Sequence, residues 1–371
     1  MEFNKYFQGS GIEVSRTPSI ENIKHIFVEP NNLYSLRDFV PFESLDFIYS
    51  NGIINETKFY KILIKEWMNF CKVRGYIIID MIPNQILNFK ELIDEIELFS
   101  KNKVEIIYRE NGRVILKKTS KILNENDSID KWTFGIIVDG RRDVNVDRCI
   151  ESIINLKIPY FEIIICGKYE GKKSNKVKHI SFEPKIGWIT KKKNLICENA
   201  KFENLIIVHD RYIFDKDWFE GMKIYGNYFE ILSCIQNDLS GNRVDDWITY
   251  GLDENGDEIG NLGFIDYKDW DINGFIGGGL YIIKKSVWRK CKWNETLVWG
   301  QGEDLDISRN FLKNGFLARF NPFSICVTIS ERGRWVKFKY NPKRFILPKD
   351  RPLKDQIKNG IKRFCRKYIL N

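Results

Sequence analysis

The hydrophobic and polar positions divide the chain into two stretches in which short apolar strands alternate with helical patterns. In the first stretch the pattern predicts a helix over 58–71 and strands over 24–29, 45–49 and 76–80. Two more strands, 103–108 and 113–118, flank the turn Glu110-Asn111-Gly112 and should form a hairpin. A strand and helix series that ends in a hairpin indicates an α/β sheet with an antiparallel edge.

The second stretch predicts another open α/β sheet. Its buried parallel strands are expected over 134–138, 162–166 and 205–208, with crossover helices over 146–156 and 191–200. A ligand of such a sheet should lie at the carboxyl ends of the strands. We therefore divide the chain into a first domain (1–123), a polar linker (124–130), a second domain (131–340) and a tail (341–371).

Length and composition agree with a globular protein of two domains. The chain has 371 residues, of which 43% are hydrophobic and 29% charged. No apolar run reaches the roughly 18 residues that span a bilayer, and the first ten residues do not read as a secretory signal. The eight cysteines form no C-x-x-C pair, which argues against a disulfide framework or a structural zinc site. A cytoplasmic protein is expected.

The net charge of +9 is concentrated in the tail. Residues 341–371 contain ten Lys or Arg and two Asp, a net charge of +8. Apolar side chains recur there at helical spacing, at Ile357, Ile361, Phe364 and Tyr368, so the pattern predicts a basic amphipathic helix. It would either lie on the domain with a solvated basic face or make peripheral contact with the anionic inner face of a membrane. Nucleic acid is not expected, because no aromatic-basic recognition motif accompanies the charge.

Three segments of the second domain should converge on the carboxyl edge of its sheet. They are Asp139-Gly140-Arg141-Arg142-Asp143, His209-Asp210-Arg211, and the run from Trp299 to Asp306, which follows the turn Gly277-Gly278-Gly279. Basic groups and backbone amides suit a diphosphate, and a carboxylate suits the base that an attacking hydroxyl needs. The combination indicates a phosphorylated donor and an alcohol acceptor.

These segments resemble, in order, the motifs of inverting GT-A glycosyltransferases of the family 2 type. Lys193-Asn194 stands where such enzymes carry their R-N helix, and His209-Asp210-Arg211 stands at their D-x-D motif. Gly277-Gly278-Gly279 and Trp299–Asp306 are similar to the G-G and W-G-x-G-G-E-D-D segments of β-1,4-galactosyltransferases. The resemblance implies a GT-A nucleotide-sugar-binding domain.

The resemblance also implies roles. Asp304 would be the general base and Glu303 would orient the acceptor or share that role, although both would also suit the N-terminus of a helix. Gly278, Gly279 and Trp299 would contact the acceptor or the sugar, and an aromatic residue at 299 would equally suit a core.

The donor side is expected to be formed by two groups of residues. Asp139 and Arg141 would touch the base or the phosphates, and Lys193, Asn194, His209, Asp210 and Arg211 would face the donor. A UDP-sugar is the donor favoured, but Cys166-Gly167 replaces an aspartate that binds uracil in many relatives.

The D-x-D position departs from the family, because Arg211 replaces its usual metal-binding carboxylate. A guanidinium has a permanent charge and binds phosphate oxygens in pairs. One hypothesis is that Arg211, with Lys193, partly replaces the divalent ion. The competing hypothesis keeps Mn²⁺ or Mg²⁺ on Asp210, with His209 assisting.

The first domain resembles a class I S-adenosylmethionine methyltransferase with a Rossmann-type sheet. The similar segments are residues 11–14, 26–29 with Glu29 at the ribose-binding position, 45–51 and 65–79. The glycine-rich loop is missing, because Ser15-Arg16-Thr17-Pro18 stands where G-x-G is expected, and side chains there would obstruct the cofactor. We expect a degenerate domain that does not bind S-adenosylmethionine.

Taken together, the sequence predicts an inverting hexosyltransferase-type enzyme that moves a sugar from a nucleotide-diphosphate donor to a glycan or lipid-linked acceptor in surface polysaccharide synthesis. Two alternatives remain open: a bifunctional methyltransferase and glycosyltransferase, and a non-catalytic glycan-binding or scaffold protein. The oligomeric state is not predicted.

Overall fold

The structure is a computed structural model that describes residues 3–29, 32–82, 87–171, 175–184, 187–252, 258–329 and 338–339. The predicted basic helix of the tail, 341–371, lies outside the described residues. Among the helices that are described, none has the length and apolar character needed to cross a membrane.

The first sheet has six strands in the order β2-β1-β3-β4-β6-β5. Strands β1 to β4 are parallel, and β6 pairs antiparallel with both β4 and β5, so the predicted antiparallel edge is confirmed. The strands and helices of this part are β1 (Gly11–Ser15), β2 (Lys24–Phe27), β3 (Leu45–Asn51), α1 (Ile53–Glu56), α2 (Tyr60–Phe70), β4 (Cys71–Asp80), α3 (Phe89–Ser100), β5 (Val104–Glu110) and β6 (Arg113–Lys118). Two short 3-10 turns are also present, at Phe3–Tyr6 and Leu36–Asp38.

The hairpin between β5 and β6 forms as its turn residues predict. Asn111 and Gly112 have φ angles of 51° and 76°. A two-residue turn with both residues in the left-handed region matches the twist of the paired strands, and Asn-Gly adopts it at low cost. The turn fixes the register that pairs Glu110 with Arg113.

The second sheet has eight strands in the order β11-β17-β12-β16-β10-β7-β8-β9. The predicted parallel core is confirmed, since β7 pairs parallel with both β8 and β10. The elements are β7 (Lys131–Ile137), α4 (Asp143–Asn155), β8 (Tyr160–Cys166), β9 (Val177–Ile180), α5 (Ile189–Asn199), β10 (Asn204–His209), β11 (Tyr212–Phe214), α6 (Trp218–Tyr225), β12 (Ile231–Asp238), β16 (Leu280–Lys284), α7 (Lys285–Lys290), α8 (Glu303–Lys313) and β17 (Ala318–Thr328).

A smaller sheet is formed by three strands that lie between β12 and β16 in the chain and by one strand that follows β17. It has four strands in the order β15-β13-β14-β18, namely β13 (Ile248–Leu252), β14 (Glu258–Phe264), β15 (Gly274–Phe275) and β18 (Phe338–Lys339). The whole is a mixed α/β structure with several sheets, as the sequence predicts.

The parts of the chain that hold the first and second sheets are in contact through stacked aromatic rings and an ion pair between Lys65 and Glu230. Phe42 stacks between Phe70 of α2 and Tyr228, with ring centroids 4.4 and 4.2 Å apart. The polar segment 124–130 has no regular secondary structure, but its Asp127 carboxylate is buried against the Lys284 ammonium at 2.7 Å. This segment is therefore anchored to the second sheet by a buried ion pair.

Candidate functional site

The second sheet brings the end of β10 and the start of β16 to the same edge. The two strands are antiparallel, and Val208 pairs with Leu280. Just beyond this pair, the His209 N–H donates to the Gly279 carbonyl at 3.0 Å. The topology thus places Gly277-Gly278-Gly279 directly beside His209-Asp210-Arg211.

Gly278 and Gly279 lie between two charged clusters. A Cβ atom on Gly278 would be 2.5 Å from Glu303 Oε1, and one on Gly279 would be 2.7 Å from Arg211 Nη2. Neither position has room for a side chain unless a charged group moves. The acidic pair of α8 therefore lies against Gly278, and the Arg211 guanidinium lies against the adjacent Gly279.

The acidic pair begins α8, whose first turn also contains Asp306. Asp304 Oδ2 accepts from the Gly278 N–H at 3.2 Å, and Asp304 Oδ1 accepts from the Leu305 N–H at 3.0 Å. Burial, and then the charge of Glu303, raises the pKa of the Asp304 carboxyl above its ordinary value. A half-buried carboxylate of raised pKa is a stronger base than an exposed aspartate. The sequence predicts that Glu303 and Asp304 could both begin a helix and act in catalysis. Their positions in the structure are compatible with both roles.

Lys193 lies under the acidic pair rather than in the donor cleft. Its side chain is fully buried, and its Nζ is 3.0 Å from the Gly278 carbonyl and 3.5 Å from Glu303 Oε1. Burial lowers the pKa of this ammonium, an effect that the nearby carboxylates oppose. The sequence expects Lys193 to face the donor, and in the structure its side chain has no exposed surface.

Asn194 is also a structural residue here. Its Nδ2 donates to the Trp293 carbonyl and to Glu295, and its Oδ1 accepts from the Trp288 indole and the Trp293 N–H. A carboxamide has two donors and two acceptor positions, so its capacity is filled. The expected donor contact of Asn194 is therefore replaced by a role in holding α5 against the 288–295 segment.

Two arginines, Arg142 and Arg211, lie near the carboxyl end of β10. Arg142, just before α4, donates from Nη1 to Asp210 Oδ1 at 2.9 Å. Burial raises the pKa of the Asp210 carboxyl, and the charge of Arg142 opposes this increase. Arg211 is only 7% exposed. Arg142 was not among the binding residues expected from the sequence, because its contact with Asp210 depends on how β7 and β10 are paired.

Asp139 and Arg141 are exposed at the end of β7 and form an ion pair with each other. The Arg141 guanidinium lowers the pKa of the Asp139 carboxyl against the opposite effect of partial burial. They lie on the same loop as Arg142, within reach of solvent. A nucleotide contact for this pair remains a prediction.

Trp299 is exposed and is not part of the core. The residue is 69% exposed, and its backbone N–H donates to the Gly187 carbonyl at 2.8 Å. It lies on the loop that leads into α8, four residues before Glu303. The alternative that this aromatic side chain packs in a core is wrong, and its ring is available to a ligand.

Asp210 and His209 are the residues that the sequence proposes as metal ligands. The Asp210 carboxylate is already paired with Arg142. Across the described ranges there is no group of three or more His, Cys, Asp or Glu side chains that could hold an ion. A metal held by Asp210 and His209 stays a prediction.

A second polar cluster lies at the carboxyl edge of the first sheet. The fully buried Glu13 of β1 accepts from the N–H and hydroxyl of Ser19 and from the Ile20 N–H. The loop that leads from β1 to β2 therefore binds an internal carboxylate with its amides. This is the loop in which the sequence lacks the expected glycines.

Calorimetric titration with S-adenosylmethionine is expected to give no binding in the micromolar range. The amides of Ser19 and Ile20 are occupied by Glu13, and the loop presents side chains where a cofactor would need bare backbone. A micromolar dissociation constant would contradict this prediction and would favour a bifunctional enzyme.

No family model and no curated protein matches this chain. Among solved structures, GalNAc-T7 with UDP, GalNAc and Mn²⁺ matches with a TM-score of 0.42 and 15% identity, over 59% of this chain and 46% of that chain. S. aureus TarS matches with a TM-score of 0.38 and 12% identity, over 54% and 37%. TarS residues 1–349 match with a TM-score of 0.34 and 13% identity, over 54% and 58%. Each match thus covers less than two thirds of the solved chain, and similarity at this level carries no argument about function.

Proposed function

We propose that the protein is an inverting glycosyltransferase that uses a nucleotide-diphosphate sugar. The observation that supports this most is the position of Gly278 and Gly279 between a carboxylate pair and a buried guanidinium. A sugar donor needs these two kinds of group a short distance apart, a base near the anomeric carbon and positive charge near the diphosphate.

In the proposed reaction Asp304 acts on the acceptor. Its carboxylate takes the proton of the acceptor hydroxyl, whose oxygen forms the bond to the anomeric carbon. The bond from that carbon to the diphosphate oxygen breaks on the opposite face, and its electron pair leaves with the nucleoside diphosphate. Glu303 is held by Lys193 beside Asp304, where it orients the acceptor and raises the pKa of the base.

The acceptor in this proposal is a hydroxyl of a glycan or a lipid-linked saccharide. Trp299 supports this, because an exposed indole beside a carboxylate pair offers an apolar face to a sugar ring and a donor N–H to its hydroxyls. The use of the product in surface polysaccharide synthesis is part of the proposal and follows from the resemblance of the motifs.

A panel of nucleotide sugars tests the proposed function. Thermal shift with UDP-, GDP-, CDP- and dTDP-sugars should show one donor that raises Tm, because a ligand that binds the folded state stabilises it by mass action. The same donor should be hydrolysed slowly without acceptor, with release of its nucleoside diphosphate. A chain that binds glycans but neither binds nor turns over any of these donors would instead be the non-catalytic scaffold.

The pH profile of this turnover should depend on Glu303. The active form of Asp304 is the carboxylate, so the rate rises as pH increases through its raised pKa. Glu303→Gln removes the neighbouring negative charge and should lower that pKa, which moves the acidic limb of kcat/KM to lower pH. Asp306→Asn, on the exposed side of the same helical turn, is the control and should leave the limb in place. An acidic limb that moves upward in Glu303→Gln would be incompatible with Asp304 as the base.

A further inference from the structure

We propose that Arg142 and Arg211 bind the donor diphosphate directly, in place of a divalent cation. This inference rests on the proposed function and deepens it by naming how the leaving group is held. It also replaces the pair expected from the sequence, Arg211 with Lys193, because Lys193 is buried beneath Glu303.

The first observation is the burial of Arg211 without a close ion pair and without a partner for its Nε. The residue is 7% exposed, and among the described residues its Nε has no hydrogen-bond partner and its guanidinium has no carboxylate within 4.0 Å. A buried charge is costly unless it is paired. Phosphate oxygens, which a guanidinium binds with two parallel hydrogen bonds, would provide the missing partner.

The second observation is the position of Arg211 against the glycine turn. Its Nη2 would be 2.7 Å from a Cβ on Gly279, so the guanidinium lies directly against bare backbone. On the other side of this turn, the Gly278 N–H donates to Asp304. A diphosphate on Arg211 would therefore have its sugar on the side of the general base.

The third observation is the pairing of Arg142 with Asp210. The carboxylate that a metal would need is already bound to a guanidinium at 2.9 Å, and 42% of the Arg142 side chain is still exposed. Arg142 can thus neutralise Asp210 while part of its side chain stays exposed to solvent. The charges that face Asp210 are those of Arg142, Asp139 and Arg211.

Binding of inorganic pyrophosphate, measured by calorimetry on the full chain, tests the inference independently of the sugar and of catalysis. In EDTA the protein should bind pyrophosphate, and addition of excess Mn²⁺ to an EDTA-free sample should not strengthen binding by more than about twofold. Arg211→Ala should weaken binding by about tenfold to a hundredfold, because charge-assisted paired hydrogen bonds are lost.

A set of matched variants separates an effect on pyrophosphate binding from an effect on folding. Arg142→Gln alters a half-exposed side chain and should weaken pyrophosphate binding severalfold with little change in Tm. Arg211→Lys keeps the charge without the paired donors and should give an intermediate affinity. Arg148→Ala, on the exposed face of α4, is the control and should bind like the parent chain.

Three results would overturn the inference: pyrophosphate binding that requires Mn²⁺, unchanged binding in folded Arg211→Lys and Arg142→Gln, or equal loss in Arg148→Ala. The proposed function fails differently. If nucleotide-sugar turnover occurs but is abolished by EDTA, the glycosyltransferase proposal stands and the guanidinium pair is not the cation. If no donor is turned over while pyrophosphate binds in EDTA through the two arginines, the anion site stands and the proposed function falls.

Discussion

Asp304→Asn is expected to lower kcat for sugar transfer by about 10² to 10⁴, the usual contribution of a positioned general base. The amide retains the shape of the side chain, but its single oxygen can accept from only one of the Gly278 and Leu305 N–H groups, which donate to different oxygens of Asp304. It cannot take a proton from the acceptor. KM for the donor should change little, because Asp304 lies on the acceptor side of the glycine turn.

Asp306→Asn is the matched control for this variant. It changes the same functional group in the same first turn of α8, but on an exposed side chain. It should transfer sugar at nearly the parent rate. If Asp304→Asn retained more than about a tenth of the parent kcat, the base would have to be another group, and Glu303 would be the next to test.

Lys193→Met is expected to destabilise the protein by about 3 kcal/mol, the scale seen when one partner of a buried ion pair is removed. The substitution leaves the Gly278 carbonyl without its 3.0 Å donor and leaves Glu303, itself 7% exposed, without the ammonium. Methionine fits the aliphatic stem of lysine, so the loss reports the charge more than the packing. Urea unfolding measures the difference.

A second substitution separates the ion pair from the lysine itself. Glu303→Gln in the Lys193→Met background removes the uncompensated carboxylate and should recover part of the lost free energy of unfolding. Lys191→Met is the control, because the pair of Lys191 with Glu295 is substantially exposed and should contribute less than about 1 kcal/mol. Equal losses in the free energy of unfolding of Lys191→Met and Lys193→Met would show that the buried pair contributes no more to stability than the exposed pair.

The sequence predicts β2 to β6 of the first sheet and β7, β8 and β10 of the second because their signals are local, whereas β9, β11, β12 and β17 are not predicted. Residues 205–208 of β10 and the neighbouring residues of β7 form apolar runs bounded by polar loops. The turn between β5 and β6 is specified by its own residues, Asn111 and Gly112. The antiparallel pairing of β16 with β10 brings the glycine turn to the carboxyl edge beside His209, but the contact of Gly278 with Glu303 depends on how α8 packs.

What the sequence does not predict is which polar residues are buried. Lys193 and Asn194 lie in the polar part of a helix pattern, and nothing local distinguishes a lysine under a carboxylate from one that faces a ligand. The contact of Arg142 with Asp210 joins residues that are 68 positions apart, and Glu13 is satisfied by a loop instead of by an ion pair. Such partners are set by tertiary packing, so periodicity and spacing do not contain them.

The most direct measurement is a crystal structure of Asp304→Asn bound to the nucleotide sugar that the donor panel identifies. We expect the diphosphate within hydrogen-bonding distance of Arg211 and the anomeric carbon on the α8 side of Gly278 and Gly279, a few ångströms from residue 304. A donor bound elsewhere, or one bound here with its sugar pointing away from α8, would contradict the account.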